Sequence, residues 1–309
     1  EGKGLAIEIA DLNNDGWLDV YVANDAAHNA LFQNRGEMRF ENLAIPSGVA
    51  ISSTGVAGAS MGIACADFDR NGHLDLFVTN FANHAKDLFC GIGDGIFVAR
   101  NSDTGLDLIA RAPLGFGTVS SDFDNDGWPD LFVAHGHIWD FPGNDDDYQM
   151  QPQLFLNSMG RRFLDGSGSA GDYFHKKWLG RAVARGDLDN DGDDDLVITH
   201  ADSAPVLLQN STDRPTSSSI RLQLIGTRAA RQALGRQVSL GLSGSTQTLH
   251  IPAGGSFQAS HSPIITLATT QQRECELEIT WTALRKTSHT FRAQAAGELI
   301  TIIEPQEDP

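Results

Sequence analysis

One nine-residue pattern occurs four times in this 309-residue chain, and it constrains the fold more than any other feature. It reads Asp11-Leu-Asn-Asn-Asp-Gly-Trp-Leu-Asp19, Asp67-Phe-Asp-Arg-Asn-Gly-His-Leu-Asp75, Asp122-Phe-Asp-Asn-Asp-Gly-Trp-Pro-Asp130 and Asp187-Leu-Asp-Asn-Asp-Gly-Asp-Asp-Asp195. The starts lie 56, 55 and 65 residues apart. A near-constant period marks a repeat architecture in which each unit is one supersecondary element. A strand-like run precedes each copy, at 5–10, 62–66, 117–121 and 181–186. Within it, a small residue sits five positions ahead of the first aspartate: Ala6, Gly62, Gly117 and Ala182. Small residues there predict close approach of neighbouring backbones. Alternating apolar runs follow each copy at 20–23, 76–79, 131–134 and 196–199, and third runs at 30–34, 87–91, 153–157 and 206–210. A fourth short strand is expected from Arg39, Ile96 and Arg162, with no counterpart in the last repeat.

Four short antiparallel strands in each unit of about 50–60 residues describe a propeller blade; a solenoid of hairpins is the competing geometry. The expected fold is therefore all-β, with four blades of an incomplete propeller near 1–58, 59–112, 113–178 and 179–210. Polar residues 211–219 read as a linker, 220–305 as a small β-sandwich-like domain and 306–309 as a tail. Seven strands are expected in the sandwich, at 220–225, 238–242, 246–251, 264–268, 276–281, 287–292 and 299–303. The first of them is also a candidate for the outer strand that the fourth blade lacks.

The pattern D-x-[DN]-x-[DN]-G-x-x-D places side-chain oxygens at positions 1, 3, 5 and 9 and a backbone carbonyl at position 7. Hard cations such as Ca²⁺ take six to eight oxygens at about 2.3–2.6 Å. Glycine at position 6 permits the sharp turn because it adopts positive φ without a Cβ clash. The expected ligands are Asp11, Asn13, Asp15, Trp17 and Asp19 in loop one, and Asp67, Asp69, Asn71, His73 and Asp75 in loop two. In loop three they are Asp122, Asp124, Asp126, Trp128 and Asp130, and in loop four Asp187, Asp189, Asp191, Asp193 and Asp195, giving about four Ca²⁺ sites. Position 7 contributes its carbonyl. A solvated, aspartate-rich hairpin turn is the alternative for any single loop. Mg²⁺ is less apt, since it retains waters. The glutamate that closes an EF-hand is missing at position 12, and strands rather than helices flank the loops, so structural sites are expected rather than a sensor.

The loops hold 16 of the 40 acidic residues, so the net charge of −18 is largely loop charge. A chain this acidic does not track a phosphate backbone, which argues against nucleic acid and anionic membrane surfaces as partners. No apolar run approaches the roughly 20 residues of a membrane span. Cys65, Cys90 and Cys275 are widely spaced and read as buried free thiols. Because the chain opens at Glu1 on an inner strand, it reads as a piece whose preceding blades and signal peptide lie elsewhere.

The unit of strand, acidic loop and strand resembles the FG-GAP/VCBS repeats of integrin alpha-subunit propellers and many bacterial secreted proteins. Val133-Ala-His-Gly-His137, Gln153-Leu-Phe-Leu-Asn157, Gly186-Asp-Leu-Asp-Asn-Asp-Gly192, Leu224-Ile-Gly-Thr227 and Leu234-Gly-Arg-Gln-Val238, in that order, resemble the cartilage acidic protein family. Its members carry a propeller followed by an ASPIC/UnbV domain. The resemblance implies a Ca²⁺-stabilised propeller with more blades than four, in an extracellular, cell-surface or periplasmic location. The family's Gly-Ser-Tyr-x-Ser-Gln stretch departs here to Gly255-Ser-Phe-Gln-Ala-Ser260.

If the acidic loops share one face, a partner is expected on the other. That face would carry His28, His84, His135, His137 and the long segment 135–153 with Trp139, Asp145, Asp146, Asp147 and Tyr148. Long loops of this kind are often functional. His135, His137, Trp139 and Tyr148 are the candidate contacts to an unidentified extracellular protein or glycan. No G-x-S-x-G, H-E-x-x-H or P-loop is present. A non-catalytic binding or adhesion module is therefore the leading reading, and a propeller enzyme acting on extracellular polysaccharide the alternative.

Overall fold

Repetition in the sequence becomes repetition in hydrogen bonding. The computed structural model describes residues 2–140, 147–212, 218–242, 245–269, 275–291 and 298–306. The first repeat forms β1 (Gly4–Ala10), β2 (Asp19–Asn24), β3 (Ala30–Asn34) and β4 (Phe40–Asn42). The second forms β5 (Ile63–Ala66), β6 (Asp75–Val78), β7 (Asp87–Gly93) and β8 (Ile96–Ala99). The third forms β9 (Gly115–Ser121), β10 (Asp130–His135), β11 (Gln153–Ser158) and β12 (Arg162–Asp165). Among the described residues, the fourth forms β13 (Gly180–Gly186), β14 (Asp195–His200) and β15 (Val206–Leu208). Each repeat makes one antiparallel meander, and every acidic loop joins the first strand of its sheet to the second.

The first strands lie side by side, β5 between β1 and β9, and β9 beside β13. Their small residues explain the spacing. A Cβ on Gly62 would stand 2.3 Å from the Phe116 carbonyl oxygen, and one on Gly117 would stand 2.5 Å from that of Arg181. Apolar seams fill the space between neighbouring sheets. Tyr21, Leu31, Leu76 and Phe89 pack between the first and second, Phe77, Leu131 and Phe155 between the second and third, and Phe132, Val183 and Ile198 between the third and fourth. Among the described residues, no sheet closes on itself and the fourth is not paired with the first. Cys65 and Cys90 are buried free thiols; the Cys275 side chain lies outside the described residues, as do Asp145, Asp146 and much of the expected linker. No helix among the described residues is long and apolar enough to cross a membrane.

The C-terminal part contains β16 (Ser218–Ile225), β17 (Gln237–Leu242), β18 (Ser245–His250), β19 (Gly254–Gly255), β20 (Ile265–Thr269), β21 (Cys275–Thr282), β22 (Arg285–Phe291) and β23 (Glu298–Ile303). Sheets β20-β16-β23 and β18-β17-β21-β22 enclose one apolar core around Leu222, Val238, Leu277, Ile279 and the fully buried Trp281. The first strand pairs with β20 and β23, so it does not complete the fourth repeat sheet.

One C-terminal segment leaves this core altogether. Gly254 and Gly255 form β19, which adds to the inner edge of β1 opposite Glu8 and Ile7. The next residue, Ser256, donates its amide to the Ile63 carbonyl at 2.6 Å and its hydroxyl to the Val183 carbonyl at 2.9 Å. Residues 254–256 thus bridge the first strands of three repeat sheets. Phe257 reaches further, edge-to-face on Phe116 at 5.0 Å between centroids, into a cluster with Met61, Leu114 and Met150. The chain then returns, and the Ser262 amide bonds to the Arg185 carbonyl. The path needs Gly254 at φ 127°, where a Cβ would meet the Ile7 oxygen at 2.1 Å.

Candidate metal centres

Each acidic loop is a turn knotted by its own carboxylates. The position 1 aspartates accept the amide of the position 6 glycine: Asp11 from Gly16 at 2.7 Å, Asp67 from Gly72 at 3.0 Å, Asp122 from Gly127 at 2.8 Å and Asp187 from Gly192 at 3.0 Å. These glycines have φ between 84° and 95°, the left-handed conformation expected for them. A second left-handed residue occupies position 4 of each loop: Asn14, Arg70, Asn125 and Asn190, with φ of 55–63°. Asparagine tolerates that region. The exception, Arg70, lays its guanidinium 4.0 Å from the centroid of Trp128 and donates to the Gly127 carbonyl, tying loop two to loop three.

The position 9 aspartates, Asp19, Asp75, Asp130 and Asp195, are the most deeply set. One oxygen of each accepts the amide of position 2, in Leu12, Phe68, Phe123 and Leu188. The other accepts an amide at the end of the third strand, from Asn34, Gly91, Asn157 and Asn210. Asn157 and Asn210 also donate Nδ2 to carbonyls of the preceding loop, Phe68 at 2.9 Å and Phe123 at 3.1 Å. These asparagines therefore link adjacent loops. The sequence showed them as the recurrent end of the third run, but their reach into the neighbouring loop has no local signal.

Carboxylate oxygens of Asp67, Asp69 and Asp75 lie within 4.8 Å of one another, as do those of Asp122, Asp124 and Asp130 and those of Asp187, Asp189 and Asp195. Loop one has Asn13 at position 3, so its carboxylates are Asp11, Asp15 and Asp19. Burial raises the carboxyls of Asp11 to about 6 and of Asp19, Asp67 and Asp122 to about 7, and neighbouring carboxylates push in the same direction. Asp75 and Asp130 are raised well above the usual range by the same burial. In loop three, Asp122 Oδ1 is buried and accepts no hydrogen bond. Converging, desolvated oxygens with a buried acceptor left over suit a cation whose charge offsets their repulsion.

The candidate partner residues divide. His135 and His137 are 1% and 3% exposed and bond to backbone carbonyls of Gln151 and Trp139, which removes them from any surface a partner could touch. Trp139 is 52% exposed and Tyr148 half-buried, so these two remain. A histidine on a strand looks the same in sequence whether it faces the core or solvent.

The acidic loops are themselves contacted by the C-terminal part. Thr248 donates its amide to Asp67 at 3.1 Å and its hydroxyl to the Gly72 carbonyl, and Gln237 Nε2 donates to the Asp11 carbonyl at 2.7 Å and to Asn14. Acidic-loop sheets are thus followed, and touched, by a separate apolar unit. The FG-GAP-like repeat family matches residues 11–78 and 122–198, and the ASPIC and UnbV family matches 226–309. The chain carries FG-GAP-like repeats followed by an ASPIC/UnbV unit. Among curated relatives it is similar to cartilage acidic protein 1 of Xenopus tropicalis, 26% identical over 99% of this chain and 46% of the relative. It is also similar to the Homo sapiens protein of that name, 32% identical over 44% of this chain and 20% of the relative. The chain thus spans less than half the length of these relatives. Among solved structures, an Agrocybe aegerita lectin that recognises non-reducing terminal N-acetylglucosamine matches 66% of this chain and 52% of its own, at 16% identity and a TM-score of 0.34, too distant to bear on function.

Proposed function

We propose that this chain is a Ca²⁺-stabilised segment of a β-propeller that serves, outside the cell, as a non-catalytic binding module. The FG-GAP-like sheets act as blades, and the ions are structural. The observation that supports this most directly is the convergence of buried aspartates in the loops, with Asp122 Oδ1 left without a donor. Ca²⁺ would be held by positions 1, 3, 5 and 9 and the position 7 carbonyl, supplying charge to offset the carboxylates. The loops lie between paired strands of one sheet, which leaves little to move when an ion binds or leaves. The ASPIC/UnbV unit contacts loops one, two and four on their own face, so we place a protein or glycan partner on the opposite face, where Trp139 and Tyr148 offer aromatic surface. Metal analysis of protein dialysed against millimolar Ca²⁺ should find close to four ions per chain, and finding none sinks the reading. Incubation with a panel of acidic polysaccharides should leave them uncut; product absorbance would favour an enzyme instead.

A further inference from the structure

The four loops are built alike but are not neutralised alike. Loop four carries six carboxylates, against three, three and four in loops one to three. Among the described residues, its position 1 aspartate alone also accepts a guanidinium. Arg221 Nη1, on β16 of the ASPIC/UnbV unit, donates to Asp187 Oδ2 at 2.7 Å and to Asn190 Oδ1 at 3.0 Å. Both partners of the ion pair are largely buried, with side chains 12% and 5% exposed. A second arginine, Arg185 on β13, pairs with Asp194 of the same loop. The most highly charged loop therefore contains cations of its own, one of them delivered from the other part of the molecule.

We propose that Arg221 is a resident counter-cation of loop four, so that docking of the ASPIC/UnbV unit and ion binding at this loop oppose one another. The inference rests on the ion reading above and adds a coupling to it. Asp187 Oδ2 is occupied by two donors, the Gly192 amide and Arg221. Oδ1 takes only the Asp191 amide, at 3.1 Å, and keeps a lone pair for a cation. Arg221 therefore acts through its charge and does not exclude an ion sterically. A unit charge roughly 6 Å from a divalent ion lowers affinity about tenfold at the full screening of water, the lower bound for a pair this buried. Coupling is reciprocal, so an ion in loop four weakens the Arg221 contact by the same factor. Loop two has a looser pair of its own, Arg100 with Asp69 at 3.4 Å on its position 3 ligand. When ions leave, loop four stays formed around its arginines while loop three, whose carboxylates bond to no guanidinium among the described residues, opens.

Arg221→Met removes the charge and keeps most of the side-chain volume. In a Ca²⁺ titration followed by equilibrium dialysis, it should strengthen one site about tenfold or more and leave three unchanged. Adding Asp189→Ala should abolish that strengthened site, and Arg221→Lys should behave as the wild type. Wild-type hydrogen exchange gives a readout without any variant: chelator should expose the amides of Asp126 and Gly127 while those of Asp191 and Gly192 stay protected. Equal loss of protection in both loops, or a site weakened by Arg221→Met, overturns the proposal. Four bound ions with none strengthened overturns this inference alone, whereas no bound ion in the wild type overturns the ion reading with it.

Discussion

The two parts of the molecule solve the same problem differently. The FG-GAP-like repeats bury their apolar residues in thin seams between sheets and set clusters of carboxylate where the strands turn. The ASPIC/UnbV unit gathers its apolar residues into one core around Trp281, and no metal-holding carboxylate cluster occurs among its described residues. A thin seam leaves each repeat reliant on its neighbours and on whatever neutralises its loop. A single core is self-sufficient. The stability of the two parts should therefore respond to different agents.

Removing Ca²⁺ tests that contrast most strongly. An ion bound only by the folded state stabilises it by about 2.7 kcal/mol per site at one hundred times Kd. Chelator should lower the melting midpoint and increase hydrogen exchange in β5–β12 more than in β17 and β21; a midpoint unmoved by chelator would reduce the loops to acidic turns. The direction of the pH effect follows from the raised carboxyls. In chelator, folded Asp19, Asp67 and Asp122 titrate at about 7 against 3.8 in the unfolded chain. Between those values the folded state binds more protons, so the stability these groups contribute is complete below about pH 4 and is lost as pH rises through 7. With Ca²⁺ bound the carboxylates are held ionised, and that decline should flatten. Thermal melts from pH 5 to 8, with and without chelator, read both slopes.

The next effect concerns the join between the parts. Phe257→Ala removes the edge-to-face contact with Phe116 and leaves a void beside Met61 and Met150, at a cost of about 3–5 kcal/mol. Chemical denaturation of this variant should split into two transitions if the insertion is what makes the parts unfold together. Gly117→Val tests the repeats alone: its side chain would strike the Arg181 carbonyl and the Val183 amide, at a cost of about 1–3 kcal/mol. Differential scanning calorimetry should show the loss in the repeats and leave the C-terminal transition in place. Asp124→Ala sharpens the comparison at a single loop. It should lose one ion by metal analysis and up to about 2.7 kcal/mol in Ca²⁺, with no such loss in chelator, where removing one of the converging carboxylates relieves repulsion.

The strands flanking the acidic loops were legible because glycine, aspartate and alternation each carry a local geometric demand. So were the seven strands expected between 220 and 303, through their alternation of apolar and polar residues. Position 4 of the loops was not, since Asn14, Asn125 and Asn190 read as ordinary turn residues and Arg70 gives no sign of a left-handed backbone. Glu8 and His250 form a buried pair at 3.2 Å across 242 residues of chain, and no periodicity encodes such a contact. The segment at Gly254–Gly255 is too short to show a strand pattern, so its insertion beside β1 was invisible, although Gly255-Ser-Phe-Gln-Ala-Ser260 had stood out for departing from the family.

The insertion also sets a timetable. Ribosomes make protein from the N-terminus at about 5–20 residues per second. Ser256 lies 46 residues beyond Asn210, where the third run of the last repeat ends. For about 2–9 seconds after the repeats are synthesised, the Ile63 and Val183 carbonyls and the inner edge of β1 have no partner from the chain that will cover them. An unpaired edge is a template for pairing with another chain. The nascent protein is therefore most open to misassembly during those seconds, and a ribosome stalled between Asn210 and Ser256 would prolong them.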